Sequence, residues 1–189
     1  GALESFRAGM EIRERLASSD PGHTGWQRDL SVSHVKIGDV QVSQGDLPGA
    51  LESFRAGMEI RERLASSDPG HTGWQRDLSV SHVKIGDVQV SQGDLPGALE
   101  SFRAGMKIAA RLASSDPGHA GWQRDLSVSH LKIGDVQVSQ GDLSGALESF
   151  RAGMEIAARL ASSDPGHTGW QRDLSVSHDR IGDVQVSQG

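Results

Sequence analysis

The stretch His34 to Phe54, HVKIGDVQVSQGDLPGALESF, decides how this chain is read. It recurs from His82 to Phe102 and from His130 to Phe150, and its first part recurs from His178, always 48 residues on. Its centre, Gly45-Asp46-Leu47-Pro48, separates two helical patterns. Gly45 suits the left-handed residue that closes a helix. Asp46 suits the cap of the next, with Leu47-Pro48 in its first turn, where proline's missing N–H would be unpaired anyway. Upstream, Trp26, Leu30, Ser33, Ile37, Val40 and Gln44 follow steps of three or four and share one helix face. Downstream, Ala50, Leu51, Phe54, Gly57, Met58, Ile60 and Leu64 form the facing stripe. A glycine inside a helix costs about 1 kcal/mol relative to alanine. The expected offset at Gly38 and Gly57 is close helix–helix approach, with Gly38 and Ala50 facing each other across the turn.

Outward from this stretch, the units run 1–48, 49–96, 97–144 and 145–189, as one repeat domain. The first two are identical. The third differs from the second at Lys107, Ala109, Ala110, Ala120, Leu131 and Ser144; the fourth keeps Ala157 and Ala158 and introduces Asp179 and Arg180. Such near identity implies recent duplication or deliberate design. Each unit opens on a helix of the second type, B, which ends at Ser19-Asp20-Pro21-Gly22-His23, a breaker run. Thr24-Gly25-Trp26-Gln27 then reads as a capping box that starts the first-type helix, A. Ala120, at the corresponding threonine, predicts a weaker start for the third helix A. The order is B-A four times over, in helices about 27–30 Å long at 1.5 Å per residue.

The pattern His34-x-x-Ile37-Gly38-x-x-Gln41, then Ala50-x-x-x-Phe54, resembles the tetratricopeptide repeat signature. Ile37, Gly38, Ala50 and Phe54 match by type, while His34 and Gln41 stand at its Trp and Tyr positions. Glu62 stands at the family's later Pro, and Pro69 follows seven residues on. The unit resembles the longer, kinesin light chain-like variant, whose second helix continues as EIRER does at 59–63. The resemblance implies an all-α fold, a right-handed superhelical solenoid of antiparallel helix pairs. It also implies that the other face of each helix A lines a concave groove for a protein or peptide. The groove positions are then Val32, Val35, Asp39, Val42 and Ser43, with Val80, Val83, Asp87, Val90 and Ser91 in the second unit. Val128, Leu131, Asp135, Val138 and Ser139 follow in the third, and Asp183 in the fourth. The competing reading packs the valines between successive A helices and leaves only Asp39, Ser43 and Lys36 exposed. In both, Asp39, Asp87, Asp135 and Asp183 make an acidic ladder that suggests a basic partner.

Charge and composition narrow the function further. A net charge of −6 argues against nucleic acid as the main partner. No apolar run approaches a membrane span of roughly 18 residues. Zero cysteines exclude disulfides and thiolate metal sites and fit a cytoplasmic location, though the chain opens at Gly1 without Met. His34, His82, His130 and His178 form a column, but equivalent positions on stacked helices lie about 8–10 Å apart or more, too far to share a metal. His23, His71, His119 and His167 read as loop residues. No nucleophile–base pair or phosphate loop is present, so neither enzyme activity nor a cofactor is expected. The leading reading is an interaction scaffold. Its rival is head-to-tail self-assembly, through Leu3, Phe6 and Met10 of the first helix and Trp170, Leu174, Ile181 and Val184 of the last, with Gly189 meeting Gly1.

Overall fold

The computed structural model describes residues 1–188; Gly189 lies outside them. The described residues are all-α. The helices are α1 (Ala2–Ser19), α2 (Thr24–Ser43), α3 (Leu47–Ser67), α4 (Thr72–Ser91), α5 (Leu95–Ser115), α6 (Ala120–Ser139), α7 (Leu143–Ser163) and α8 (Thr168–Gln188). Odd helices are the B type and even helices the A type. They group into two larger compact units, each of four helices, a first unit Gly1–Asp94 and a second unit Leu95–Gly189. In the first, α1 packs on α2, α2 on α3 and α3 on α4; in the second, α5, α6, α7 and α8 pack in the same succession.

The A-to-B turn closes as its sequence predicts. Gly45 has φ +79°. Its N–H donates to the Val42 carbonyl at 3.0 Å, and the Asp46 N–H donates to Gln41 at 2.9 Å. These two bonds satisfy carbonyls the helix end leaves open. Asp46 Oδ1 then accepts from the Gly49 N–H at 3.0 Å, capping α3. Gln41, buried at the tyrosine position of the motif, accepts from Ser53 Oγ at 2.6 Å and donates to Asp46 Oδ2 at 3.3 Å. One amide therefore ties the end of α2 to the turn and to α3. Gln137, Asp142 and Ser149 repeat this in the second unit, where Ser144 replaces the proline.

Each core is a phenylalanine held between A helices. Phe54 clusters with Ala50, Ile85 and Val88, and Phe150 with Ala146, Leu147 and Val184. Burying such a ring contributes about 1.5–3 kcal/mol. Gly38 makes room for this ring: a methyl on Gly38 would stand 2.5 Å from Phe54 Cε1. Gly57 makes the expected close approach, since a methyl there would lie 3.1 Å from the Ser31 carbonyl oxygen of α2.

The B-to-A junction differs from the sequence reading. Thr24 and Gln27 form no capping box. His23 is the cap: its Nδ1 accepts from the Trp26 N–H at 3.1 Å, and its ring stacks on Trp26 at 4.0 Å. His71, His119 and His167 do the same. The cause is the preceding turn, where Asp20 Oδ1 accepts from the Gly22 N–H and the Asp20 carbonyl accepts from the His23 N–H, both at 3.1 Å. That turn sets His23 at the cap and Thr24 inside the helix. Gly25 leaves space for the ring, since a methyl there would lie 3.2 Å from His23 Cε1. Gln27 instead donates to the Ala17 carbonyl of α1 at 3.2 Å. Ala120 therefore removes no cap, because His119 supplies it.

Candidate protein-interaction face

Successive A helices within each unit are joined by two ion pairs. Near the helix starts, Arg28 Nε meets Asp77 Oδ2 at 2.8 Å, and Arg124 Nε meets Asp173 Oδ2 at 2.6 Å. These hydrogen bonds raise both guanidinium pKa values. Farther along, Lys84 Nζ meets Asp39 at 2.6 Å and Arg180 Nε meets Asp135 at 2.9 Å. Burial pushes the Asp135 carboxyl up, while Arg180 and then Lys132 pull it back down. The lysines also lie over the phenylalanine rings, Lys36 5.5 Å from the Phe6 centroid, Lys84 5.8 Å from Phe54 and Lys132 6.0 Å from Phe102.

The predicted groove residues separate into covered and uncovered sets. Val35 and Leu131 pack against the phenylalanine clusters. Val32, Val80, Val83 and Val128 are half-buried. Val42, Val90 and Val138 remain 41%, 40% and 38% exposed, large enough fractions to leave each side chain open to a partner. Ser43, Ser91 and Ser139 beside them are exposed, and their hydroxyls donate to their own helices, at Val40, Asp87 and Asp135. Asp39 and Asp183 are exposed, and Asp87 and Asp135 half-buried. In the second unit a cavity of about 260 Å³ opens on this face, lined by Val138, Phe150, Arg180 and Asp183 among others.

Other groups lie outside this face. Val184 is a correction: the sequence put it on an open end, but it is buried against Phe150 of α7, and Ile181 packs on the same cluster. The reason is that the valine of each A helix faces the preceding helix B, as Val88 faces Phe54. Trp170, Leu174, Leu3, Phe6 and Met10 are half-buried. His34, His82 and His130 are half-buried, and burial lowers their pKa values. Sequence reading missed a cavity of about 450 Å³ between the α1–α2 junction and α3, lined by Pro21, Ile60, Arg63 and Leu64 among others. Its counterpart in the second unit, about 410 Å³, has Pro117, Ile156, Arg159 and Leu160. The 48-residue recurrence of Pro-Gly opposite an Ile-x-x-x-Leu pair was the available signal. Among the described residues no three His, Asp or Glu converge as metal ligands, and no helix is long and apolar enough to cross a membrane.

No protein-family model matches the sequence, and a search of curated proteins finds no match. Solved structures do match. The chain is similar to BtubC (BKLC) from P. vanneervenii, with a TM-score of 0.63 and 15% identity, over 98% of this chain and 73% of that one. It is also similar to the yeast histone chaperone Hif1, with a TM-score of 0.64 and 10% identity, over 98% of each chain. At these identities the likeness is one of fold. The fold is a tetratricopeptide-like helical repeat.

Proposed function

We propose that the chain is a non-enzymatic interaction scaffold of the long-unit, kinesin light chain-like type, which holds a segment of a partner protein along its A helices. The observation that carries this reading is the valine left exposed at the same place in successive repeats, Val42, Val90 and Val138, each with a serine beside it. The core of the first unit does not cover Val42 and Val90, which stand at matching places on its two A helices, and a contiguous exposed apolar patch formed there would mark an interaction site. In each repeat the aspartate follows a Lys or Arg by three residues, at Lys36, Lys84, Lys132 and Arg180, a pairing suited to contact and not to reaction. Hif1 is described as a scaffold protein recruiting protein complexes to core histones, and the reading extends that role, though not its partners, to this chain. It needs no cofactor, metal, nucleic acid or membrane, and it assigns the chain to the cytoplasm. The test is an array of random peptides probed with the labelled chain and with a Val42→Ser, Val90→Ser, Val138→Ser variant. The chain should capture a subset of peptides that the variant loses; equal capture by both would place binding elsewhere.

A second reading, head-to-tail association, is favoured by a contrast within the chain. Residues 1–18 repeat 49–66, yet Ile12 is 53% exposed where Ile60 is 5%. A methyl on Gly38 would press on Phe54, whereas one on Gly182 meets nothing within 4 Å. In a molecule of these 189 residues, α1 of one copy fits α8 of another as α3 fits α2. Such a contact repeats without closing unless its rotation makes a ring. Sedimentation should show mass rising with concentration, and Ile12→Ser should suppress the rise. A constant monomer mass rules this reading out.

A further inference from the structure

We infer that the segment held by this face is uncharged: an extended peptide that lays aliphatic side chains on Val42 and Val90 and donates backbone N–H groups to Ser43 and Ser91. This rests on the interaction reading above and names its partner class. It replaces the basic partner that the aspartate ladder suggests.

The first unit shows why. Arg28, Lys36, Asp39, Asp77 and Lys84 are engaged by the protein itself. Asp39 holds Lys84 at 2.6 Å, and Arg28 holds Asp77 at 2.8 Å. The Lys36 ammonium lies over the Phe6 ring and the Lys84 ammonium over the Phe54 ring. Lys84 sits on Asp39 Oδ1, so a basic segment that approaches the free oxygen of Asp39 is repelled by Lys84 as it is attracted by the carboxylate. An acidic segment that approaches Lys84 is repelled by Asp39 in the same way. In each case the like charge of the pair offsets the attraction to the other, and little is gained. A neutral segment disturbs neither.

The serines narrow the chemistry further. A hydroxyl has one hydrogen, and what remains after it donates is acceptor capacity. Ser43 Oγ donates to the Val40 carbonyl at 2.6 Å, and Ser91 Oγ to the Asp87 carbonyl at 3.0 Å. Both therefore present acceptors to a partner. A peptide backbone supplies donors without charge, and its side chains alternate so that every second one faces the valines. The second unit repeats the arrangement at Val138 and Ser139, where Asp135 is held by Arg180 and Ser139 Oγ donates to Asp135 at 3.0 Å.

The test uses the intact chain on the random peptide array in low and high salt. Captured peptides should be rich in Val, Ile and Leu with little net charge, and affinity should change less than about twofold across the salt range, because few exposed charges meet. Replacing one backbone N–H of a captured peptide by N-methyl should weaken it by about tenfold, as expected for a lost hydrogen bond. Peptides rich in Lys and Arg, or in Asp and Glu, that weaken by about tenfold or more in high salt would overturn the inference and leave the scaffold standing. An array that captures nothing would overturn the scaffold reading and this inference together.

Discussion

Helices α3 and α7 occupy the same place in their units and solve one packing problem in opposite ways. Arg61 of α3 is 6% exposed, a buried cation. Its Nη1 donates to Ser81 Oγ and to the Asp77 carbonyl, both at 2.9 Å, and its Nε to Ser31 Oγ at 3.3 Å. Burial lowers its pKa, Asp77 pulls it back up, and Arg28 pushes it down. In α7 the position is Ala157, buried as a methyl. Ser127, the counterpart of Ser31, there donates to the Gly153 carbonyl at 2.8 Å. Both units keep the same turns, the same phenylalanine and the same glycine contact. The guanidinium is thus accommodated by the fold and does not create it. Serines that serve a cation in one unit bond to backbone in the other.

The comparison is broken hardest where the units agree. Phe54→Ala and Phe150→Ala each remove the ring on which a glycine, an alanine and a valine converge. Each should cost about 3–5 kcal/mol in urea unfolding. A much smaller loss in the first unit alone would mean that Arg61 carries its core.

The serines sharpen the difference. Ser81→Ala strips the buried guanidinium of an acceptor and should cost about 1.5–3 kcal/mol, the range for bonds to charged groups. Ser177 Oγ donates only to the Asp173 carbonyl of its own helix, at 3.0 Å. Ser177→Ala should therefore shift stability by only a few tenths of a kcal/mol, since such back-bonding adds little to a helix. Equal effects would remove the distinction. Giving α3 the α7 residues at the buried position and its neighbour, with Arg61→Ala and Glu62→Ala, should be near neutral, because exchanging a buried ionic group for apolar packing often is.

The histidine caps come next. His119→Ala should cost about 0.5–2 kcal/mol and speed amide exchange at Trp122, while Thr at position 120 should change neither. The reverse ranking would restore the threonine cap.

What the sequence made legible was local. Gly45, Asp46 and Pro48 act within four residues, so their turn follows from residue type alone. The histidine cap is equally local, but Thr24 is the commoner cap type and drew the assignment away from His23. The recurring His-x-x-Trp spacing was the overlooked signal. The ion pairs were not legible, because Asp39 and Lys84 meet only through the offset between two helices that both pack on α3. Nor does helical spacing say that Val35 is covered and Val42 is not. Both lie on the outward side of α2, and the placement of α3 and α4 decides between them.

Acidity gives the smallest and most selective contrast. His34, His82 and His130 are each lowered from the ordinary value of 6.5, with burial the largest cause. An imidazole with a lowered folded pKa binds fewer protons folded than unfolded. Stability is then complete above 6.5 and is lost as pH falls from 6.5 through the folded values. Asp135 runs the other way: raised from 3.8, it adds stability as pH falls through its folded value. The histidines differ in what opposes burial. Glu14 and Glu59 pull His34 back up and Glu62 pulls His82 back up, whereas His130 has burial alone. The carboxylate twenty residues before His34 and His82 becomes Ala110 before His130. His130 should therefore titrate at the lowest pH of the three in the folded chain, followed by its ring proton resonances. Helix α6 should lose amide protection most as the solution is acidified below 6.5, since its imidazole is the hardest to charge in place. Ala110→Glu should raise the His130 titration toward that of His82 and slow the exchange. If His130 titrates with the others and ignores the new carboxylate, burial alone sets all three values, and the charge difference between the units has no bearing on their stability.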